Sequence, residues 1–273
     1  MVNKLEKNNL TDLTNGLVVS GAVADSQMPL NTVSESLNFD FDKIGCAQLR
    51  KGTTLLGNQI AGTNILGLYE FRDSGTGTNN QIIAVEGTNV YYLSSGTWTS
   101  KRTVTNGKDA DFTTFLDYVF MVNGTDATQT WDGNPSNSFG TDNVTSAPVG
   151  NYVETFRSRV WIMDNNDKLY HSSLPSTDAT PTITWASSNY ILISPQDGDN
   201  GTKLRRYKNA LLVFKKNHIY RVYSINETEP DPKINVGTYS QESIVEAKDG
   251  VYFHHPSGFY KYSGGAVQEI SRP

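Results

Sequence analysis

The clearest pattern of hydrophobic and polar positions lies at residues 210–224. An unbroken apolar run at 211–214 is followed by four polar residues and then by a second, β-branched and aromatic run at 219–223. Two short runs around a polar turn predict a β-hairpin. Because the first run is apolar at successive rather than alternating positions, we expect neighbouring sheets to cover both of its faces.

The same unit recurs along the chain. The first apolar runs begin at Ile82, Val119, Val160, Leu211 and Val251, which are 37, 41, 51 and 40 residues apart. This spacing is typical of blade repeats. Each hairpin is preceded by a further predicted strand, so the units lie near 65–104, 110–133, 152–193, 204–239 and 243–270. Three or four strands per unit predict an all-β fold, namely a β-propeller of about five to six antiparallel blades.

The residues before the first unit differ in character. We predict an N-terminal arm at 1–30, whose first 15 residues are polar, mixed in charge and unpatterned, ahead of a propeller domain at 31–273. Residues 31–56 follow, and their first part, 31–41, alternates loosely between apolar and polar positions. Since the N-terminal strand of a propeller often completes its last blade, we expect this segment to help close the ring of blades. No stretch has sustained helical periodicity, so we expect very little helix.

Composition supports a β fold and restricts the compartment. The 273 residues include 14 Tyr, 11 Phe and 23 Gly, which suit strands and turns. The single cysteine, Cys46, excludes an internal disulfide and is compatible with synthesis in a cytosol. No apolar run approaches the roughly 20 residues that span a bilayer, so we expect no membrane partner.

Charge is unevenly distributed. The net charge of −5 argues against a general nucleic-acid binder. One stretch without Asp or Glu nevertheless holds seven basic residues, the basic strip: Lys203, Arg205, Arg206, Lys208, Lys215, Lys216 and Arg221. These residues are either solvated strand ends and turns, or a positive surface facing phosphates or an acidic neighbouring subunit. A nearby acidic loop holds Glu227, Glu229 and Asp231.

Chemical motifs are weak. The pair His254 and His255 has no further ligand at metal-binding spacing. Stretches 164–167 and 197–201 resemble calcium loops but lack the downstream bidentate Glu, so we interpret them as turns. Residues 94–98 match only the end of a sialidase-type Asp box and lack its Asp. We therefore predict no catalytic residues, no cofactor and no metal, and a propeller glycoside hydrolase stays an alternative.

Three stretches resemble a known family. They are 31–56, with Asn38-Phe39-Asp40-Phe41-Asp42 and Leu49-Arg50-Lys51-Gly52-Thr53; 198–220, with its Asp-Gly-rich turn and 209–220 strand; and 239–271, with Asp249-Gly250-Val251-Tyr252-Phe253 and Glu269-Ile270-Ser271. In the order of these features the chain resembles bacteriophage tail hub, nozzle or packaged-DNA-stabilisation (head completion) proteins of the β-propeller type.

The resemblance implies a structural virion protein of the neck or tail, made in the cytoplasm of a bacterial host, and not an enzyme. Such proteins form homo-oligomeric rings, often sixfold, that extend or close the DNA channel below the portal. The implied partners are a portal or adaptor, tail fibres or distal tail proteins, and double-stranded DNA passing without sequence specificity. A ring of chains of net charge −5 would let DNA slide, and the basic strip would then contact the acidic loop of a neighbour. The alternative is a non-viral propeller that binds proteins or sugars.

Overall fold

The computed structural model describes residues 39–40, 48–52, 54–60, 62, 64–74, 77, 79–140, 144–178, 182–195, 197–227 and 231–271. The chain divides by its contacts into two units, Met1–Leu56 and Gly57–Pro273. The expected N-terminal arm at 1–30, its boundary with the following domain, and Glu229 of the acidic loop lie outside the described residues. In the first unit, strands β1 (Phe39–Asp40) and β2 (Gln48–Leu49) form a short antiparallel pair.

The second unit contains five antiparallel sheets in chain order. Sheet 1 consists of β3 (Ile65–Phe71), β4 (Gln81–Glu86), β5 (Asn89–Ser94) and β6 (Thr97–Thr103). Sheet 2 consists of β7 (Asp111–Phe115), β8 (Tyr118–Val122) and β9 (Gln129–Trp131). The short strand β10 (Val144–Thr145) follows sheet 2.

Sheet 3 consists of β11 (Tyr152–Phe156), β12 (Arg159–Met163), β13 (Lys168–His171) and β15 (Tyr190–Leu192). Between its last two strands, β14 (Ile183–Thr184) leaves the sheet and pairs with β10 in parallel. Sheet 4 consists of β16 (Gly201–Tyr207), β17 (Ala210–Lys215), β18 (Ile219–Val222) and β19 (Asp231–Ile234). Sheet 5 consists of β20 (Val245–Ala247), β21 (Gly250–His255), β22 (Gly258–Tyr262) and β23 (Val267–Glu269).

The prediction of an all-β fold with very little helix is confirmed for the part of the chain that the structure describes. Its one helical element is a 3-10 turn, Gln241–Ser243. Across the same residues, no helix is long and apolar enough to cross a membrane. In sheets 2 to 5, a two-residue turn joins the first strand to the second, which explains their regular up-and-down order. In sheets 2 and 3, both turn residues have positive φ, as in the primed turns that suit the twist of hairpins.

Four hydrophobic cores lie between successive sheets. In sheet 2, for example, Phe112 stacks on Tyr69 of sheet 1, whereas Phe120 packs in the core shared with sheet 3. The other two cores join sheet 3 to sheet 4 and sheet 4 to sheet 5. An internal sheet therefore buries both of its faces.

Strand β17 shows why its apolar run is unbroken. Leu211 and Val213 pack in the core shared with sheet 3, and Leu212 and Phe214 pack in the core shared with sheet 5. Successive side chains of a strand point to opposite faces, so the expectation that both faces are covered is confirmed. The predicted turn began one residue too early, because Lys215 belongs to the strand and is fully buried.

The outermost sheets keep one apolar face open among the described residues. In sheet 1, Leu68 is 67% exposed, and it lies on the face opposite the core residue Tyr69. In sheet 5, Val245 is 58% and Phe259 57% exposed, on the face opposite the core residue Phe253. These two faces have large apolar side chains, and among the described residues of the second unit no other sheet packs on them.

Candidate functional site: a polar core between the first strands

The first strands of the five sheets converge on a shared polar space, which we call the polar core. A cavity of about 190 Å³ within it is lined by residues from all five first strands, including Tyr69, Thr113, Glu154, Arg205 and Glu246. Alternation along each strand produces this arrangement. In β16, for example, the buried residues at 202 and 204 alternate with the polar core residues at 203 and 205.

Asp111 joins three of the sheets. Its carboxylate accepts hydrogen bonds from the backbone N–H groups of Phe112 (2.8 Å) and of Val153 in sheet 3 (3.0 Å). It also forms an ion pair with Lys203 of sheet 4. Asp111 is buried, and a buried carboxylate requires such partners. The contact therefore fixes β7, β11 and β16 to one another.

Arg205 makes the corresponding link on the other side. Its guanidinium lies 3.3 Å from the Glu246 carboxylate in sheet 5 and 3.9 Å from that of Glu154 in sheet 3. Together with the pair between Asp111 and Lys203, these contacts alternate positive and negative charges across the polar core. The polar core is thus cross-linked by internal ion pairs.

Glu154 is a buried acid of the polar core. It is only 8% exposed. Burial raises the pKa of its carboxyl, and the hydrogen bond from the Thr155 N–H and the charges of Arg205 and Arg206 offset this only in part. The folded protein therefore binds a proton at Glu154 more tightly than the unfolded chain does.

This perturbation predicts a pH effect for Glu154→Gln. A carboxyl whose folded-state pKa is raised favours the folded state at low pH, and this contribution is lost as pH rises from the unfolded pKa through the folded one. The variant cannot ionise, so its stability relative to wild type should increase from pH 4 to pH 7. Urea unfolding across this range measures the difference. Glu246→Gln removes the other carboxylate facing Arg205 and is the matched control; a similar pH trend in both variants would contradict the assignment.

A larger cavity, which we call the strand-start cavity, opens at the end of the polar core where the first strands begin. It has a volume of about 540 Å³ and is lined by residues including Asp109, Asn151, Tyr152, Thr202 and Gln241. The Thr202 hydroxyl is buried and has no hydrogen-bond partner among the described residues. Burial, with Asp111 and Asp109 nearby, raises the pKa of Tyr152 to about 12. The Tyr152 phenol therefore keeps its proton and can donate a hydrogen bond.

The basic strip does not form one surface. Lys203 and Arg205 form ion pairs in the polar core, and Lys215 is fully buried, so these three residues do not share one exposed positive surface. Alternation along β16 and the two-sided packing of β17 are the physical reasons. Arg206 and Lys208 are exposed where the first strands end.

The remaining members of the strip lie elsewhere on sheet 4. The Lys216 ammonium lies 5.8 Å from the ring centroid of Tyr239, and Arg221 is half-buried on β18. In the acidic loop, the Glu227 carboxylate accepts a hydrogen bond from the Tyr223 N–H at 2.9 Å. Asp231 begins β19 and is aligned with Arg221 across the two strands. Part of the acidic loop therefore belongs to the same sheet as the strip.

The environment of Lys215 was not predicted from the sequence. Its ammonium lies 2.8 Å from Asp167 Oδ1, 3.0 Å from Asp197 Oδ1 and 3.3 Å from the carbonyl oxygen of Ser194. The two calcium-like stretches form turns as predicted, and Asp197 Oδ1 also accepts from the Asp199 N–H. Their aspartates have the further role of neutralising a buried lysine. Within the described ranges, no group of three or more His, Cys, Asp and Glu is placed to hold a metal ion.

Comparisons with known proteins concern the fold alone. No protein-family model and no curated protein matches the chain. The chain is similar in structure to the extracellular domain of a protein from B. thetaiotaomicron assigned as a one-component system, with a TM-score of 0.53 and 14% identity over 77% of this chain and 29% of that chain. A second structure of that extracellular domain, assigned to a hybrid two-component system, gives 0.52 and 12% over 79% and 29%. The C-terminal WD40 domain of Sif2 gives 0.46 and 12% over 76% and 58%. The chain thus spans less than a third of the extracellular domains that it matches.

Proposed function

We propose that this chain is a structural virion protein of a bacteriophage neck or tail. Its copies form a homo-oligomeric ring, sixfold in the family that the sequence resembles, which extends or closes the DNA channel below the portal and docks other tail parts. Double-stranded DNA passes without sequence-specific contacts. The resemblance of three stretches of the sequence motivates the proposal, and one structural observation supports it.

That observation is the pair of open apolar faces. Leu68 on sheet 1 and Val245 and Phe259 on sheet 5 are each more than half exposed. Exposed apolar patches on a protein surface typically mark contacts with another polypeptide. Because the two faces differ, sheet 5 of one copy can pack on sheet 1 of the next, which is a heterologous contact that closes into a ring. The open faces therefore favour a subunit of an assembly over a free monomer.

The finer fold that we propose is a β-propeller of five to six blades. The five sheets supply five blades, and the N-terminal strand within 31–56 helps to close the ring of blades by extending the edge of a sheet, so that part of the faces of sheets 1 and 5 stays free for the neighbouring copy. Hydrogen exchange of the full chain tests the closing role: backbone amides within 31–56 should be protected for minutes or longer. Complete exchange of these amides within seconds would show that the segment is not a strand of the propeller.

Charge substitution on the open faces should prevent ring formation. We expect Leu68→Asp and Phe259→Asp each to weaken assembly by at least about tenfold, since an aspartate buried without a partner costs more than about 1.4 kcal/mol. Native mass spectrometry measures the copy number. Leu174→Asp is the matched control, because Leu174 is 54% exposed outside the five sheets. A wild-type chain that stays monomeric at tens of micromolar would contradict the proposal.

Quantitative mass spectrometry of purified phage particles tests the virion location directly. A small, fixed copy number relative to the major capsid protein is the expected result, and that number gives the size of the ring. If the chain is abundant in the lysate and missing from the particles, the virion function is wrong.

The strand-start cavity favours a second candidate function, a sugar-binding module. Its volume of about 540 Å³, its acid and amide side chains and the unpartnered Thr202 hydroxyl suit a ligand rich in hydroxyl groups. A glycan array of the full chain distinguishes the two functions. A monomer that binds a glycan, with binding lost in Thr202→Val, would replace the virion proposal.

A further inference from the structure

The opposite end of the polar core, where the first strands finish, is strongly basic. A cavity of about 470 Å³ at this end, which we call the strand-end cavity, is lined by eight residues. Three of them are the cations Arg157, Arg206 and Lys208, and none is acidic. Sheets 3 and 4 bring these cations together, because Arg157 and Lys208 lie in the tight turns that follow β11 and β16.

These three cations have no carboxylate partner within 4 Å among the described residues. The ammonium of Lys208 donates a hydrogen bond to the carbonyl oxygen of Ser263 at 2.8 Å. The guanidinium of Arg157 lies 5.4 Å from the ring centroid of Phe156. The positive charge of Arg206 acts to lower the pKa of Glu154, but the cation within 4 Å of the Glu154 carboxylate is Arg205. The strand-end cavity therefore holds an excess of positive charge that the described chain does not neutralise.

The cations are accompanied by neutral groups that can donate hydrogen bonds. Ser158 and Asn209 line the same cavity, and its remaining walls are Phe115, Phe156 and Thr155, whose hydroxyl donates to the Thr114 carbonyl oxygen. Guanidinium groups bind phosphate oxygens through paired, parallel N–H donors, and an ammonium adds a compact charge. Two guanidiniums, one ammonium and hydroxyl or amide donors around one cavity suit an oxyanion, and the volume of the cavity leaves room for the group that carries it.

We propose that the strand-end cavity binds a phosphate group. This site is independent of the proposed virion function, because it follows from the charges that line the cavity. The phosphate can belong to a free ion or phosphomonoester, or to the phosphodiester backbone of DNA. A free ion would occupy the cavity alone, whereas DNA would contact the exposed cations at its mouth.

Titration calorimetry of the full chain with inorganic phosphate, in chloride buffer of low ionic strength, tests the site. We expect saturable binding that weakens by at least about tenfold in the triple variant Arg157→Gln, Arg206→Gln, Lys208→Gln, because each charged donor contributes to the binding energy. Lys216→Gln is the matched control: it removes one positive charge from the same sheet at its opposite end and should leave the affinity unchanged. If the triple variant does not fold, the single variant Arg157→Gln replaces it. We expect this single variant to weaken phosphate binding severalfold.

A second titration, with a short mixed-sequence DNA duplex followed by fluorescence anisotropy, identifies the source of the phosphate. Binding that inorganic phosphate displaces, with a salt dependence that decreases by about one unit of slope per cation removed, assigns the site to DNA backbone. Phosphate binding without DNA binding assigns it to a free ion or phosphomonoester. Absence of both kinds of binding in wild type, or equal losses in Lys216→Gln and Arg157→Gln, would overturn the proposal.

Discussion

Replacing Lys215 by Met should lower the free energy of unfolding by about 3–5 kcal/mol, the range seen when one partner of a buried ion pair is removed. The side chain is fully buried and lies between the carboxylates of Asp167 and Asp197, which are 19% and 14% exposed. Met fills a similar volume without a charge, so the two carboxylates lose their counter-ion in a poorly solvated site. Urea unfolding at pH 7 measures the loss.

The pH dependence provides a second measurement of the same cluster. Burial alone would raise the pKa of Asp197, but hydrogen bonds from the Asp199 N–H and from Lys215 outweigh burial and hold that pKa below its ordinary value. Such a carboxyl stabilises the fold at neutral pH, and its contribution is lost as pH falls from the unfolded pKa, about 3.9, through the folded one. This loss should be smaller in Lys215→Met, because its Asp197 no longer has the ammonium.

A neutral version of the cluster is the control. Lys215→Met combined with Asp167→Asn and Asp197→Asn should recover most of the lost stability, because replacing a complete buried ion-pair group by neutral residues is often nearly neutral. If the free energy of unfolding of Lys215→Met lies within about 0.5 kcal/mol of the wild-type value, the ion pairs contribute little to stability and the assignment is wrong.

Phe214→Ala should also cost about 3–5 kcal/mol, the usual loss for truncating a buried Phe. The Phe214 side chain is fully buried in the core between sheets 4 and 5, where its ring meets that of Phe253 at 5.4 Å, edge to face. Among the described residues of the second unit, this is the one face by which sheet 5 packs on another sheet. We therefore expect amide protection to decrease most in sheet 5, as hydrogen exchange with mass spectrometry can measure.

Phe120→Ala is the matched control. Phe120 is equally buried but belongs to the core between sheets 2 and 3. Phe120→Ala should lower the free energy of unfolding by a similar amount, without a selective loss of amide protection in sheet 5. Phe214→Leu, which keeps most of the apolar volume, should cost less than about 1.5 kcal/mol. Uniform loss of protection in both alanine variants would show that the sheets unfold as one unit.

Hydrophobic pattern was enough to predict the second strand of each sheet, because these strands carry the unbroken apolar runs. The run at 211–214 contributes alternately to two cores, and its lack of polar positions predicted that packing. The same period of two could have placed Lys203 and Arg205 inside. They alternate with the buried residues Thr202 and Leu204 on β16.

Pairing between distant side chains could not be predicted in this way. Lys203 and Asp111 are 92 residues apart in the sequence, and only the arrangement of the sheets brings them together. Lys215 was assigned to a turn because lysine is rarely buried, and its two aspartates lie in stretches whose composition is that of turns. The sequence indicates where polar residues occur, whereas the fold decides which of them share a site.

The order of the sheets has a consequence for synthesis on the ribosome. Each sheet is built from one continuous stretch of chain, and each hydrophobic core joins a sheet to the one before it. A nascent chain can therefore fold sheet by sheet from its N-terminal side, with few contacts waiting for distant residues. At every stage the newest sheet displays an apolar face that the next sheet will cover. A ribosome stalled between two sheets would hold such a face exposed, and there the nascent chain should be most susceptible to chaperone binding.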